Sequence, residues 1–297
     1  MTKKGRDTVG FIGIGNMGGP MASNISKAGF DLTIFDMDRE RAQQFAKTHG
    51  VKSARTLAEL AANDFIVTML PNGKIVREVL MEAEGGALIA ALKPGSHIVD
   101  MSSAEPEGTR ELAGILQARG IDLVDAPVSG GVGRAADGTL TIMVSADSEA
   151  AIDQVTPLLI AMGKQIFRVG RSGCGHAMKA LNNFVSTAGF VATSEALLIG
   201  ERFGLNRGTM VDVMNVSTGR SFSTDVLMKD HVVGEKFGSG FALGLAAKDV
   251  KIAADLAKTV KRQSPVLDLV VEECMSARDS LGATRDFTEL YIAWSRK

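Results

Sequence analysis

The chain has 297 residues, of which 45% are hydrophobic and 23% are charged, as in an ordinary soluble globular protein. Its 33 basic and 34 acidic residues give a formal net charge of −1, so the composition offers no electrostatic footprint for nucleic acid or an anionic membrane. A small anionic substrate would therefore need locally placed cations. The length allows one large domain or two medium ones.

The cysteines and histidines argue against a disulfide framework and a metal site. Cys174 and Cys274 are far apart without a CxxC partner, and the four histidines show no HxxxH or HxH spacing. Too few residues precede the first apolar strand for a signal or transit peptide. We therefore expect a cytoplasmic protein without a metal and without a membrane or nucleic-acid partner.

Short apolar strands alternate with amphipathic helices in the first part of the chain. The predicted strands are residues 9–12, 32–35, 65–69, 97–100, 122–124, 140–144 and 165–169. The predicted helices among them are residues 17–28, 39–47, 75–81, 108–119 and 149–162. This rhythm indicates βαβ units and a mostly parallel sheet covered by helices on both faces.

Helical patterns alone follow Gly170. The predicted helices are residues 177–203, 207–215, 245–260 and 265–280. We therefore predict an α/β domain over residues 1–170 and an all-α domain for substrate binding and oligomerisation over residues 171–297. The glycine-rich sequence around Gly173 would form the boundary.

The predicted helix 177–203 is apolar almost all round and approaches the length of a membrane span. Lys179, Asn182, Asn183 and Glu195 interrupt it, and each would be costly in lipid. No flanking basic cluster orients it. We interpret it as the buried central helix of the second domain.

A glycine-rich turn follows the first predicted strand and opens a helix. Its sequence is Gly13-Ile14-Gly15-Asn16-Met17-Gly18. Gly13 permits the tight turn, Gly15 lets the backbone approach a pyrophosphate, and Gly18 lets helix and strand pack closely. Such turns also occur as plain structural loops, but here the strand, the helix and the next strand all occupy the required places. The motif predicts a Rossmann-type domain that binds a dinucleotide at a helix N-terminus.

Asp36 follows the second strand at the usual distance for a carboxylate that binds the adenosine ribose. An ionised Asp36 would accept hydrogen bonds from the ribose hydroxyls and repel a 2′-phosphate, which favours NAD over NADP. Two alternatives stay open. Asp36 could be a solvated turn residue beside a helix-capping Asp38, and Arg39 could contact a phosphate.

Four segments in a fixed order carry a further pattern. They are residues 11–24 around the glycine turn, Asp125-Ala126-Pro127-Val128-Ser129-Gly130-Gly131, Gly173-Cys174-Gly175-His176-Ala177-Met178-Lys179-Ala180-Leu181-Asn182-Asn183, and Lys248-Asp249-Val250-Lys251-Ile252-Ala253. In this order they resemble the β-hydroxyacid dehydrogenases, the family of 3-hydroxyisobutyrate dehydrogenase and tartronate semialdehyde reductase. The resemblance spans essentially the whole chain.

The resemblance implies a Rossmann-type N-terminal domain, an all-helical C-terminal domain and a set of site residues. Lys179 and Asn183 would be catalytic and, together with Ser129, Gly130 and Gly131, would bind the substrate. Lys248 would lie near the substrate or the nicotinamide. Further cofactor contacts would come from Met69, Leu70, Pro71 and Ser103.

The residue pattern of the predicted catalytic segment also suits proton transfer. Lys179, Asn182 and Asn183 fall at i, i+3 and i+4, on one helical face. Burial lowers the pKa of a lysine towards the range that suits a general acid/base near neutral pH. Asn183 could bind the reacting oxygen or hold Lys179 in place. Taken alone, a lysine near a helix start is more often a surface or capping residue, and the family resemblance decides for catalysis.

The other candidate residues also have alternatives. Ser129-Gly130-Gly131 offers a hydroxyl and unhindered N–H groups for a carboxylate, or it is a plain glycine turn. Lys248, oriented by Asp249, could supply positive charge, or it could lie on a solvated helix face with Lys251 and Asp255. Arg220 could reach a substrate carboxylate or make a domain or subunit contact.

These observations predict an NAD-dependent oxidoreductase that transfers hydride between nicotinamide and a small anionic 3-hydroxy acid, 3-hydroxyisobutyrate-like, or its semialdehyde. Alternatives of the same fold are an NADPH-preferring semialdehyde reductase, an imine reductase and 6-phosphogluconate dehydrogenase, in which histidine typically stands at the position of Asn182. A non-catalytic NAD-binding interaction module is the alternative of another class, and the retained Lys179, Asn183 and Lys248 argue against it. We also expect a homodimer or homotetramer.

Overall fold

The computed structural model describes residues 7–81 and 88–295 of the chain. The contacts divide it into two compact units, Met1–Lys179 and Ala180–Lys297. This division falls inside helix α8 (Cys174–Phe203), whose first turns belong to the first unit. The division of the sequence at 170/171 stays a prediction about domain organisation.

Within its described residues, the first unit is built on a nine-stranded sheet. The strands are β1 (Thr8–Ile12), β2 (Asp31–Phe35), β3 (Lys52–Ser53), β4 (Phe65–Thr68), β5 (His97–Asp100), β6 (Asp122–Asp125), β7 (Val128–Ser129), β8 (Leu140–Ser145) and β9 (Gly163–Gly170). Their order is β3-β2-β1-β4-β5-β6-β8-β7, and β9 pairs with β8. The strands from β3 to β6 are parallel, β8 is antiparallel to β6 and β7, and β9 is parallel to β8. The 3-2-1-4-5-6 order is that of a Rossmann fold, which confirms the predicted α/β class.

Helices cover both faces of this sheet because its strands bury successive residues on opposite sides. Val67 and Val99 pack into one hydrophobic core, and Ile66 and Ile98 into the other. The helices are α1 (Gly18–Lys27), α2 (Arg39–His49), α3 (Gly73–Met81), α4 (Leu88–Ala91), α5 (Pro106–Gln117), α6 (Gly131–Ala136) and α7 (Glu149–Ile160), with a 3-10 helix at Leu57–Ala62.

Three local features of this unit differ from the predictions. Strands β3 and β7 have two residues each, too short to show an alternating pattern. Helix α6 begins at Gly131, inside the predicted substrate loop. Helix α8 begins at Cys174 rather than residue 177, because side chains of distant strands bind its glycine-rich start.

Helices and no strand make up the second unit in the part that the structure describes. After α8 come α9 (Arg207–Asn215), a π-helix at Ser223–Val233 that the sequence did not predict, α10 (Leu243–Thr259), α11 (Pro265–Leu281), a 3-10 helix at Phe287–Glu289, and α12 (Leu290–Ser295). Phe190 and Leu197 of α8 are fully buried in its core. Among the described helices, none is both long and apolar enough to cross a membrane.

Candidate active site

The turn between β1 and α1 has a backbone that requires glycine at two positions. Gly13 has φ +93°, and a Cβ there would lie 2.5 Å from the carbonyl oxygen of Met69. A Cβ on Gly18 would lie 1.9 Å from the carbonyl oxygen of Gly13. Gly15 instead faces open space, with no atom within 4 Å of an added Cβ. The turn therefore leaves room for a ligand at Gly15.

Backbone N–H groups of this turn are available to an anion. Within the described residues, those of Gly15, Asn16 and Met17 have no protein acceptor. Met17 precedes the first residue of α1 and provides no side-chain cap. A pyrophosphate at this turn would accept hydrogen bonds from these groups and lie at the positive end of the helix dipole, so the turn fits the predicted dinucleotide.

The loop after β4 borders the glycine turn. Strand order reverses between β1 and β4, the position at which α/β sheets bind nucleotides. The N–H of Met69 donates to the carbonyl oxygen of Ile12 at 2.9 Å, and that of Leu70 donates to Oγ of Ser102 at 3.0 Å. Pro71 follows and is exposed, and Ser103, the next predicted cofactor contact, is half-buried directly after Ser102.

Asp36 is buried directly after β2, so it is not a solvated turn residue. Its Oδ2 accepts a hydrogen bond from the N–H of Ile14, and its Oδ1 accepts one from the N–H of Asp38, both at 2.9 Å. The guanidinium of Arg41 lies 3.5 Å from Asp36 and 3.0 Å from Asp38. The carboxylate is therefore held in place beside the glycine turn.

The two arginines at the start of α2 have different partners. The guanidinium of Arg39 lies over the ring of Phe35, 4.8 Å from its centroid, and donates to the carbonyl oxygen of Ala54 at 3.3 Å. Arg41 is the cation beside Asp36, which the sequence analysis did not identify. Asp38 caps α2 by accepting a hydrogen bond from the N–H of Arg41 at 3.0 Å, so the helix-capping role considered for Asp38 is confirmed although Asp36 is buried.

Buried polar residues end four neighbouring strands of the sheet. Thr68, Asp100, Asp125 and Ser145 are the last residues of β4, β5, β6 and β8, and their backbones pair in register. The hydroxyl of Thr68 donates to Oδ1 of Asp100 at 2.9 Å. We call these four residues the polar row. It lies at the carboxyl edge of the sheet, where α/β proteins place their functional groups.

The polar row binds the start of α8. The N–H groups of Gly173 and His176 donate to the two carboxylate oxygens of Asp125, at 2.9 and 3.1 Å. The N–H of Gly175 donates to Oγ of Ser145 at 2.8 Å. These bonds satisfy N–H groups that have no partner within the helix and attach its first turn to the sheet.

Lys179 and Asn183 lie one turn apart on α8, and both are half-buried. The Asn183 amide nitrogen donates to Oδ2 of Asp249 in α10 at 2.5 Å. The other carboxylate oxygen of Asp249 lies 3.0 Å from Nζ of Lys248. The side chain of Asp249 is 4% exposed and that of Lys248 is 21% exposed, so Lys248 does not lie on a solvated face. Asp249 therefore links two predicted site residues.

The predicted substrate loop runs from β7 into α6. Ser129 is half-buried at the end of β7, and Gly130 and Gly131 have φ of +140° and +69°. A Cβ on Gly130 would lie 2.7 Å from Cδ of Arg134. The backbone conformation of this loop therefore explains why glycine occupies positions 130 and 131. Binding of a carboxylate by the loop stays a prediction.

Two other charged residues considered from the sequence, Arg220 and Lys251, form ion pairs with side chains on the exposed surface. Arg220 donates to Asp225 at 2.8 Å, in the segment between α9 and the π-helix. Lys251 pairs with Asp255 on the exposed side of α10 at 2.5 Å. Over the residues that the structure describes, no group of three or more His, Cys, Asp or Glu side chains could hold a metal ion.

Comparisons with known proteins agree with this geometry. A protein-family model described as the NAD binding domain of 6-phosphogluconate dehydrogenase matches residues 8–170. A second family model, described as "NAD-binding of NADP-dependent 3-hydroxyisobutyrate dehydrogenase", matches residues 173–294. The 2-(hydroxymethyl)glutarate dehydrogenase of Eubacterium barkeri is 40% identical over 288 residues, 97% of this chain and 95% of that protein. The chain belongs to the β-hydroxyacid dehydrogenase family.

Two further members support the assignment. The NAD-dependent L-serine dehydrogenase of Pseudomonas aeruginosa is 32% identical over 94% of this chain and 95% of its own length. The Mycobacterium tuberculosis 3-hydroxyisobutyrate dehydrogenase solved with L-serine has a TM-score of 0.89 and 30% identity, over 97% of this chain and 99% of that one. This β-hydroxyacid dehydrogenase is therefore an oxidoreductase that binds a pyridine nucleotide and acts on hydroxy acids.

Several residues that support the site of this β-hydroxyacid dehydrogenase had not been predicted from its sequence. Ser102 holds the loop after β4, Arg41 lies beside Asp36, and Asp100 lies in the polar row. The available signal was that several predicted strands end in polar residues. Strand ends are commonly polar because they enter loops, so this signal does not identify functional residues until the pairing register of the strands is known.

Proposed function

We propose that this enzyme uses NAD to oxidise a 3-hydroxy acid whose CH₂OH group is attached to the carbon that bears the carboxylate, or reduces the corresponding semialdehyde. The relatives named above are dehydrogenases of 2-(hydroxymethyl)glutarate, L-serine and 3-hydroxyisobutyrate, and these three molecules share that arrangement. They differ in the third substituent of the same carbon. The shared part therefore defines the proposed substrate class.

The observation that carries the proposal is the arrangement of Lys179, Asn183 and Lys248. Lys179 and Asn183 lie one turn apart on α8, and buried Asp249 binds both Asn183 and Lys248. A lysine amine can accept the hydroxyl proton, an amide can bind the reacting oxygen, and an ammonium can attract the carboxylate, which are the groups that suit this alcohol oxidation. A module that only bound nucleotide would have no use for this set.

In the proposed mechanism, bound NAD would supply the hydride acceptor for oxidation of the carbinol carbon. The amine of Lys179 takes the hydroxyl proton during oxidation and returns it during reduction. Asn183 gives one amide hydrogen to Asp249 and keeps the other for the reacting oxygen. Lys248 supplies positive charge for the substrate in the second unit. The hydroxyl of Ser129 and the N–H groups of Gly130 and Gly131 are the donors that the first unit offers to a carboxylate.

Asp36 supports NAD as the preferred nucleotide. Its oxygens accept from two backbone N–H groups and still have lone pairs for ribose hydroxyls. A 2′-phosphate at the same place would meet a buried carboxylate. The nearby Arg41 already serves two carboxylates, Asp36 and Asp38, which limits its attraction for a phosphate.

A substrate panel tests the reaction class. We expect NADH formation with 2-(hydroxymethyl)glutarate, 3-hydroxyisobutyrate or L-serine, and none with lactate, whose alcohol lies on the carbon next to the carboxylate. No turnover across the panel despite tight NAD binding would favour a binding module. Reduction of cyclic imines without turnover of hydroxy acids would favour an imine reductase.

Lys179→Ala tests the acid/base assignment. We expect kcat to fall roughly 10²- to 10⁴-fold because the general acid/base is removed, while NAD still binds because the glycine turn and Asp36 are unchanged. Lys251→Ala is the matched control, since Lys251 lies on the exposed side of α10. A Lys179→Ala variant that keeps the kcat of the Lys251→Ala variant would refute the assignment.

We further propose that the enzyme is a homodimer or homotetramer. The second unit exposes large apolar side chains along α8, including Val185, Ile199 and Phe203, which are 68%, 66% and 86% exposed. Contiguous exposed apolar side chains commonly mark association surfaces. Light scattering on the eluting protein should give at least twice the chain mass, and a monomer at assay concentration would contradict the proposal.

A further inference from the structure

His176 lies in the first turn of α8 with its side chain completely buried between two carboxylates of the polar row. Nδ1 lies 2.8 Å from Oγ1 of Thr109 in α5 and 3.9 Å from Oδ2 of Asp125. Nε2 lies 3.7 Å from Oδ2 of Asp100. The imidazole therefore lies among groups of α5, β5 and β6.

Thr109 links the imidazole of His176 to α5. Its Oγ1 lies 2.8 Å from Nδ1 of His176 and 3.1 Å from the carbonyl oxygen of Glu105 at the start of α5. Nδ1 of His176 is therefore held on the side of α5, and the imidazole has a fixed direction in this cluster.

The other ring nitrogen points at the polar row. Nε2 has no hydrogen-bond partner among the described residues, and its 3.7 Å separation from Asp100 is just beyond bonding length. Oδ1 of Asp100 already accepts from the hydroxyl of Thr68 and the N–H of Ser102. The Oδ2 atom is thus the part of Asp100 that faces α8.

This cluster connects the cofactor loops of the first unit to the turn that carries Lys179. Asp100 binds Ser102, and Ser102 in turn binds Leu70 of the loop beside the glycine turn. On the other side, Lys179 follows His176 at i+3, so the two residues are neighbours on one helix face. We infer that His176 is a positioning residue for Lys179, an inference that rests on the proposed function.

The contacts of the His176 ring are directional, which is why this ring can position the helical turn. An apolar side chain could fill the same space, whereas a buried polar ring is costly unless its partners are placed correctly. The contact with Thr109 on one side and the facing carboxylate of Asp100 on the other restrict rotation and sliding of the first helical turn. A small displacement of that turn would move the amine of Lys179 away from the reacting hydroxyl.

His176→Asn tests the inference, because the shorter amide can still reach towards Thr109 but not towards Asp100. We expect kcat to fall roughly 10- to 100-fold, while the Kd of NAD and the KM of the substrate change less than about threefold. His176→Gln, which extends further towards Asp100, should recover part of the loss. Unchanged kcat in both variants would overturn the inference.

His97→Asn is the matched control. His97 is also buried beside a carboxylate, with Nδ1 3.5 Å from Asp122, but at the first residues of β5 and β6 and so at the opposite edge of the sheet. Both histidine variants should lower the melting temperature, and only His176→Asn should lower kcat. Equal losses of kcat in the two variants would mean that His176 contributes only to the stability of the fold.

A double variant shows whether His176 acts through Lys179. In a Lys179→Ala background, His176→Asn should leave the residual rate unchanged, and full additivity would overturn the inference. If Lys179→Ala alone kept its activity, the proposed function would fail instead. Should His176→Asn not fold, Thr109→Val removes the hydrogen-bond partner of Nδ1 without changing the sequence of α8, and kcat should then fall as well. An unchanged kcat in this variant would overturn the inference.

Discussion

The amide nitrogen of Asn183 lies 2.5 Å from Oδ2 of Asp249, so a buried carboxylate of α10 holds a polar residue of α8. The same carboxylate lies 3.0 Å from the ammonium of Lys248. Asn183 and Lys248 are distant in the sequence and share one support in the second unit. This relationship leads to the first prediction.

Asp249→Asn keeps the size of the side chain and removes the charge that holds Lys248. We expect kcat/KM to fall roughly 100-fold, because the asparagine amide offers one acceptor oxygen where the carboxylate offers two and carries no charge for Lys248. Steady-state kinetics with the best substrate of the panel measures this. Asp255→Asn, on the exposed side of α10, should change kcat/KM less than about twofold because exposed ion pairs contribute little. Equal effects of the two variants would contradict the prediction.

Asp36→Asn should weaken the preference for NAD. Loss of the charge removes the repulsion of a 2′-phosphate, so the ratio of kcat/KM for NADP to that for NAD should rise roughly 10- to 100-fold. Asp38→Asn is the control, because Asn also caps helices and Asp38 does not bind the glycine turn. An unchanged ratio in Asp36→Asn would mean that Asp36 does not set the nucleotide preference.

Two glycine substitutions in the turn should separate folding from binding. Gly15→Ala places a methyl group in open space, so the fold should persist while the Kd of NAD rises roughly tenfold or more, about 1.4 kcal/mol. Gly18→Ala places its methyl group 1.9 Å from the carbonyl oxygen of Gly13, so the protein itself should be destabilised by several kcal/mol, about 3 or more. Thermal melts and NAD titration measure the two effects.

Gly114→Ala in α5 is the control for these substitutions. No atom lies within 4 Å of its added Cβ, and α5 is far along the chain from the turn. Alanine in a helix interior should stabilise the protein by about 0.5–1 kcal/mol and leave NAD binding unchanged. A Gly15→Ala variant with the NAD affinity of Gly114→Ala would contradict a pyrophosphate site at the turn.

The two cysteines should differ in reactivity towards iodoacetamide. Burial, and to a lesser degree the Glu273 carboxylate, raises the pKa of the fully buried Cys274 thiol from 9.0 to about 12. Cys174 is partly exposed at the start of α8. The native protein should therefore be modified at Cys174 alone and the denatured protein at both residues, as mass spectrometry would show. Modification of Cys274 in the native protein would contradict its burial.

The same thiol predicts a pH dependence of stability. The pKa of Cys274 is higher in the folded than in the unfolded chain, so its contribution is fully present below about pH 9 and is lost as the pH rises towards about 12. At about pH 10 the free energy of unfolding should have fallen by about 1.4 kcal/mol more in the wild type than in Cys274→Ala. Urea unfolding at about pH 8 and pH 10 measures the difference. Parallel losses in both proteins would argue against the raised pKa.

Local sequence patterns predicted much of the first unit. The glycine turn, its flanking strand and helix, and Asp36 lie close together in the sequence, so their spacing alone indicated a dinucleotide site. Strand-helix alternation likewise predicted the parallel sheet. Strands β3 and β7 and the π-helix were missed, because two residues cannot show a period and a π-helix has no distinct hydrophobic pattern.

Residue patterns alone were sufficient to predict the α/β class, the dinucleotide turn, the family and the candidate residues Lys179, Asn183 and Lys248. That Asp249 joins two of these residues, and that Asp100 and Asp125 flank His176, became visible in the folded chain. The difference comes from the sequence separation of the interacting residues. Turns and helix faces depend on neighbours within a few residues, whereas the partners of a buried polar group come from strands and helices far apart in the chain, and only packing brings them within hydrogen-bonding distance.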